Sequence, residues 1–257
     1  MAFPHTREKL RSVWRILLDL IFPPRCVGCG RWGSLLCDHC LSAVSWLCPP
    51  VCTRCGRPQA RSRLCPDCRR SSPPLSAIRS AVIFEGPLRQ AILHLKYRGQ
   101  RELAQPLGTL MARAWPRDAM RGDCLVPVPL HPSRERARGY NQSRLLAEAL
   151  SEQIGLPVVH GAIRRIRATR PQVYLKARDR RENVKGAFVV DGTSLRGRRP
   201  ILIDDVCTTG ATLAACAEAL WTAGAEDVRA YTLARAAWDP ARPDILPDLM
   251  PRAEGTS

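Results

Sequence analysis

The sequence predicts an α/β protein: a parallel sheet flanked by helices, preceded by a small N-terminal module held together by cysteine ligands. Three observations carry that prediction. From residue 81 onward, short apolar runs alternate with helical patterns. Nine of the twelve cysteines crowd between Cys26 and Cys68. Residues 201–213 read Ile-Leu-Ile-Asp-Asp-Val-Cys-Thr-Thr-Gly-Ala-Thr-Leu, an apolar strand that carries two acids into a hydroxyl-rich turn opening a helix.

The chain begins with an amphipathic pattern over residues 1–22. Leu10, Val13, Trp14, Leu17, Leu18 and Ile21 share one helical face, which is expected to pack on the protein itself. Its most apolar part, residues 16–22, contains Asp19 and has no small-residue cleavage site, so a signal peptide is not expected. No run reaches the roughly 18 apolar residues that a membrane span needs.

Residues 23–70 hold four C-x2-C pairs: Cys26/Cys29, Cys37/Cys40, Cys52/Cys55 and Cys65/Cys68. At that spacing two thiolates on one tight knuckle can chelate a single tetrahedral ion, and four pairs predict two structural Zn²⁺ sites with four cysteines each. With no secretory signal, a disulfide framework is not expected. Sequential pairing closes shorter loops than an interleaved cross-brace and is the preferred arrangement. Gly28, Gly30 and Gly56 fall where knuckles often need a positive φ. Cys48 has no C-x2-C mate and reads as a bystander, while Cys124 and Cys216 read as small buried apolar residues.

Across Ser71-Ser72-Pro73-Pro74 the composition changes, and the larger domain is expected over residues 76–236. Strands are predicted at 81–84, 125–128, 157–159, 187–190, 201–204 and 228–233, and helices at 88–97, 103–115 and 143–154. Proline and polar residues dominate 237–257, which reads as a loose tail.

The formal charge of +17 implies polyanionic partners, nucleotides or nucleic acid. Almost all the cations are arginine, the lysines being Lys9, Lys96, Lys176 and Lys185, which suits bidentate phosphate contacts as well as a GC-rich coding bias. No strand interleaves basic and aromatic residues in the manner of a base-stacking surface.

The chemistry concentrates at 201–213. A strand delivers Asp204 and Asp205 to its carboxyl end, and the turn from Cys207 to Thr212 presents helix N–H groups and hydroxyls that can hold a phosphate. The carboxylates stand about one sugar away, where they can accept from ribose hydroxyls, so the stretch describes a ribose 5-phosphate site. Cys207 lies where helix N–H groups would lower its pKa, although a space-filling role suits the position better.

These residues resemble the phosphoribosyl-pyrophosphate (PRPP) motif of type I phosphoribosyltransferases, and the doubled Thr208-Thr209 before Gly210 resembles the ComF family in particular. The resemblance extends over most of the chain, joining a double zinc ribbon to a type I phosphoribosyltransferase-like parallel sheet. It implies PRPP binding through Asp204, Asp205, Cys207, Thr208, Thr209, Gly210, Ala211 and Thr212, with Asp204 and Asp205 as the catalytic candidates and Mg²⁺ bound alongside PRPP.

Three further stretches match that family. Val126-Pro-Val-Pro-Leu-His-Pro-Ser-Arg134, followed by Arg136, Arg138 and Gly139-Tyr-Asn-Gln142, implies a pyrophosphate loop using Pro129, His131 and Arg134. Leu95-Lys-Tyr-Arg-Gly99 ends a helix, where Lys96 faces either the pyrophosphate or the helix dipole. Residues 164–181, rich in arginine, imply a flexible loop closing over PRPP, with Arg170, Gln172, Arg178 and Arg181 as its candidate contacts. The family further implies a cytoplasmic role in natural competence or DNA utilisation, with single-stranded DNA and DNA-uptake proteins as partners. Two readings stay open: a PRPP-binding protein that handles single strands, and an active transferase with an unidentified nitrogen acceptor.

Overall fold

The structure is a computed structural model and describes residues 23–71, 73–168, 184, 186–192 and 195–237. The expected N-terminal helix and C-terminal tail, with Arg170, Gln172, Arg178 and Arg181, lie outside the described residues.

The cysteine module contains two one-turn helices, α1 (Asp38–Ser42) and α2 (Pro66–Arg70), each following a knuckle. The larger domain then runs β1 (Ala77–Ile83), α3 (Gly86–Tyr97), α4 (Ala104–Arg113), β2 (Cys124–Pro127), α5 (Pro132–Arg138), α6 (Gln142–Ile154), β3 (Ile163–Arg165), β4 (Phe188–Val190), β5 (Pro200–Cys207), α7 (Ala211–Thr222) and β6 (Arg229–Arg235). Strands β1, β6, β5 and β2 form a parallel sheet in that spatial order.

Strand alternation explains how the sheet buries both faces. Leu125, Ile201, Ile203, Tyr231 and Leu233 point to a layer of α3, α4 and α6, where Leu88, Ile92, Leu107, Met111, Leu146 and Leu150 cover them. Val126, Leu202, Val228 and Ala230 point to the opposite layer, built from Leu213, Cys216 and Leu220 of α7 and from Ile163 and Phe188 of β3 and β4. Helix α3 shows why it forms as it does. Leu88, Ala91, Ile92 and Leu95 make one apolar stripe, and Pro87 occupies a first-turn position that needs no N–H.

Two expectations about strands are corrected. Residues 188–190 do form a strand, but it pairs antiparallel with β3 in a separate two-stranded sheet. Residues 157–159 give only a single parallel bridge, from Val158 to Leu125, because Pro157 has no N–H to extend a ladder. The stretch read as a loop from Arg164 begins instead as strand: Arg164 and Arg165 belong to β3, pinned by the register of Arg165 against Phe188.

The cysteine module does not stand apart from the sheet. Residues 45–47 run antiparallel along β1, with Leu47 N–H donating to Ala81 at 3.0 Å and Ile83 N–H donating to Ser45 at 2.9 Å. The second knuckle adds a bond from Ile78 N–H to the Arg54 carbonyl at 2.6 Å. Cys26, Leu36, Cys40 and Val44 share the apolar cluster that includes Leu88 and Val82. The otherwise bare sheet edge is thereby covered.

Gly30 and Gly56 adopt the expected left-handed backbone, with φ of 74° and 69°. Gly28 does not, and its reason is space: a Cβ there would lie 2.7 Å from the Pro87 Cβ and 2.8 Å from the Cys40 Sγ.

Candidate functional site

The eight paired cysteines gather into two clusters, Cys26/Cys29/Cys37/Cys40 and Cys52/Cys55/Cys65/Cys68, with each cluster's sulfurs within 4.8 Å of one another. Pairing is therefore sequential. A tetrahedron of Zn–S bonds near 2.3 Å sets neighbouring sulfurs about 3.8 Å apart. The Cys26–Cys40, Cys29–Cys37 and Cys55–Cys65 separations are 3.6, 3.5 and 3.8 Å, so both sulfur cages fit zinc.

Backbone N–H groups converge on the cages as they do on metal thiolates. Cys37 N–H points at the Cys26 sulfur and Cys65 N–H at the Cys52 sulfur. Burial disfavours the charged form of Cys26 and Cys52, but these N–H groups outweigh it and bring both thiols down to about 6. Their cage-mates Cys40 and Cys68 move up, through burial and then through the neighbouring sulfurs. Cys48 is exposed and belongs to neither cage.

The second site opens at the carboxyl edge of the sheet. Its cleft, about 180 Å³, is lined by Lys96, Tyr97, Val128, Pro129, Leu130, Arg134, Arg138, Gln142, Ser143, Arg165, Asp204, Asp205, Val206, Thr208 and Thr212. The strand β5 carries Asp204 and Asp205 to this edge, one toward each face of the sheet. Asp205, only 3% exposed, turns toward the α3 layer and meets Lys96 Nζ at 3.0 Å. The Lys96 charge is thereby directed at a carboxylate of the cleft, a partner that neither of its two expected roles had named. Burial opposes the ammonium, yet Asp205 overrides it and raises the Lys96 pKa.

Asp204 accepts a hydrogen bond from Ser143 Oγ at 2.8 Å and another from the Asp205 N–H at 2.9 Å. Burial, followed by repulsion from Asp205, pushes its pKa up to about 7 despite Ser143 and Lys96. Buried ion pairs of this kind gain little net stability, because desolvation of the charges offsets their attraction. Their presence here is a reason to look for a ligand.

Beyond Asp205 the chain makes the turn that begins α7. Gly210 has a φ of 79°, and as N-cap it offers no side chain to the start of α7, where the Ala211 N–H donates to Thr209 Oγ1 at 3.4 Å. Thr208 and Thr212 line the cleft. Cys207 and Ala211 instead pack into the α7 core, and Thr209 and Gly210 do not line the cavity. For Cys207 the expected direction of pKa shift is reversed. Burial dominates and pushes the thiol up, against the pull of Arg235.

The loop after β2 forms the facing wall. Val128 N–H donates to Ile203 at 2.9 Å, and its carbonyl accepts from Asn141 Nδ2 at 3.0 Å, which fixes Pro129 at the rim. Pro129 and Arg134 line the cleft, whereas His131 caps α5 by accepting from the Ser133 N–H and does not line it. Sequence reasoning gave no role to Asn141 or Ser143 and counted Arg165 only among the arginines of the basic stretch that begins at Arg164, not as a cleft residue. Asn141 and Ser143 carried a signal in their place just after the Gly-Tyr turn, where a capping Asn starts a helix. Arg165 carried none, since its inward direction depends on the pairing of β3.

Comparison with known proteins follows from these two sites. Residues 17–69 match the model of a double zinc ribbon domain, and residues 143–251 match a phosphoribosyl transferase domain. The chain is 35% identical over 213 residues to the DNA utilization protein YhgH of Escherichia coli O157:H7, covering 80% of this chain and 92% of that protein. It is 33% identical over 227 residues to competence protein F of Haemophilus influenzae, covering 82% and 97%. To competence protein ComFC of Bacillus subtilis it is 31% identical over 211 residues, covering 78% and 84%. Among the described residues, no helix is long and apolar enough to cross a membrane.

Proposed function

The chain belongs to the ComF family of competence and DNA-utilisation proteins, and from that premise we propose that it binds PRPP with Mg²⁺ in the cleft at the end of β5 and handles single-stranded DNA in the cytoplasm. One observation carries the proposal. The same edge of the sheet holds two adjacent carboxylates, Asp205 buried and Asp204 half-buried, a helix start with a glycine N-cap and two threonines, and three arginines on the facing walls.

Each part has a task. Thr208, Thr212 and the first N–H groups of α7 suit a 5-phosphate. Asp204 and Asp205 suit the ribose hydroxyls, with Lys96 holding Asp205 in place. Pro129, Arg134 and Arg138 suit the pyrophosphate, where guanidinium groups meet oxyanions in bidentate fashion. Hard oxygen donors at Asp204 and Asp205 are compatible with Mg²⁺, which when bound supplies charge stabilisation to the leaving pyrophosphate. The relatives' names connect the family to competence and DNA utilisation, and the strongly basic balance supports a polyanionic partner.

A second reading, an active transferase acting on a small nitrogen nucleophile, is favoured by Asp204. A carboxylate whose pKa is raised to about 7 can accept a proton from an attacking nitrogen near neutral pH.

Titration calorimetry with PRPP and Mg²⁺ tests the first reading. Asp204→Asn combined with Asp205→Asn is expected to remove binding, and an unchanged affinity would overturn the site. Pyrophosphate release, followed with and without single-stranded DNA, separates binding from turnover.

A further inference from the structure

The end of α3 brings more than Lys96 to the cleft. The next residue, Tyr97, lines the same cavity with 49% of its surface exposed. Among the described residues five large apolar side chains are exposed, namely Trp32, Trp46, Tyr97, Ile166 and Trp221, and of these Tyr97 alone faces the cleft.

The ring is held in place. The Arg138 guanidinium lies over it, 5.3 Å from the ring centroid. Behind the pair, the Tyr140 hydroxyl donates to the Leu95 carbonyl, and Arg101 covers the Tyr140 ring at 4.6 Å while donating to the Gly139 carbonyl at 2.7 Å. These bonds tie the end of α3 to the end of α5, so the Tyr97–Arg138 stack is preorganised.

Arg134 and Arg165 complete the cleft's basic wall. Arg165 is only 7% exposed, on the inward face of β3, where a charged group is expensive to bury. Arg134 lines the same cleft as Arg165, so an anion entering it meets both guanidinium groups.

A π face backed by a guanidinium, beside a pair of cations, matches a nucleobase and its phosphate. We propose that Tyr97, backed by Arg138, is a stacking platform for one base of a single-stranded nucleic acid whose adjoining phosphate lies against Arg134 and Arg165. The proposal rests on the reading of this protein as one that handles single strands. It adds where a strand is gripped; since Arg134 and Arg138 are also assigned to the pyrophosphate, strand and PRPP would compete for this wall. Stacking on a ring face tolerates any base, so the platform is not sequence-specific.

The test compares an oligothymidylate of about 12 nucleotides, an abasic strand of the same length, and free thymidine monophosphate, by fluorescence anisotropy or competition at low salt. The full-length protein is expected to favour the base-bearing strand over the abasic one by about tenfold. Tyr97→Ala should erase that preference while leaving the salt dependence, and Tyr97→Phe should keep it, which guards against a mere folding defect. A Tyr97→Ala protein that binds both strands and retains the preference overturns the platform alone. A wild-type protein that binds neither strand overturns the DNA reading together with the platform, and binding of the mononucleotide but not the strand does the same.

Discussion

The cysteine module and the sheet domain solve the same problem, stability, with different materials. In residues 23–71 the buried side chains are chiefly sulfurs, Cys26, Cys40, Cys52, Cys65 and Cys68, with few aliphatic neighbours. In the sheet domain two continuous apolar layers sandwich the strands. A module of about fifty residues buries little apolar surface of its own against its chain entropy, and its two sulfur cages are suited to metal ions that would supply the difference. The sheet domain has area to spare and can place Lys96, Asp204, Asp205 and Arg165 in its interior or at its edge. The lesson is one of division: sulfur cages fit for metal stand in for a core in one half, and an apolar core supports buried charges in the other.

The largest expected effect tests whether that division is also a boundary. Structural zinc binding is worth on the order of 10–16 kcal/mol in small modules, so chelation is expected to unfold residues 26–68 altogether. Because residues 45–47 and Arg54 hydrogen-bond to β1, the amides of Ile78 and Ile83 should lose protection in the same step. Hydrogen exchange reads this directly. Native protection at Ile78 and Ile83 after the zinc is gone would show two independent units.

A smaller effect sharpens the contact between the halves. Gly30 and Gly56 occupy equivalent knuckle positions with similar φ, but a Cβ on Gly30 meets nothing within 4 Å, whereas on Gly56 it would lie 2.4 Å from the Ile78 carbonyl oxygen. Gly30→Ala is expected to lose about 1–2 kcal/mol, the backbone penalty alone. Gly56→Ala adds a clash with β1 and should lose roughly 2–5 kcal/mol in total. Equal losses in thermal or denaturant unfolding would mean that the second knuckle is not pressed on the sheet.

The smallest effect belongs to the sheet domain's own surface. Asp123 is desolvated, yet the Arg199 N–H at 3.0 Å and the Arg198 guanidinium at 3.1 Å hold its carboxyl below the usual range. A carboxylate with a depressed folded-state pKa stabilises the protein above its unfolded value near 4, and that contribution fades as pH falls through the lower folded value. Asp123→Ala is therefore expected to lose about 1 kcal/mol at pH 6 and progressively less below pH 4. A deficit that stayed constant with pH would assign the loss to geometry and not to charge.

Legibility in the sequence followed the same divide. The cages were readable because C-x2-C spacing acts within one turn of chain, and short loops favour sequential pairing. In the sheet domain the order of strands and helices was readable from apolar runs, but β3 was hidden in an arginine-rich stretch, and 188–190 was assigned to the wrong sheet. Ile163 and Phe188 reveal themselves as a packed pair only once α7 covers them.

The cleft shows the limit most clearly. The sequence alone determined that two acids would end a buried strand and that a glycine turn would start a helix beyond them, since these are neighbours along the chain. It determined the two four-cysteine clusters for the same reason. Tertiary structure decided that Ser143, 61 residues away, donates to Asp204, that Lys96 meets Asp205, and that Arg165 faces inward while Arg164 pairs with Asp191 at the surface. A pattern of apolar and polar residues specifies which face of each element is buried. Which buried faces meet, and what polar groups they carry to the common edge, is set by packing among elements far apart in the chain.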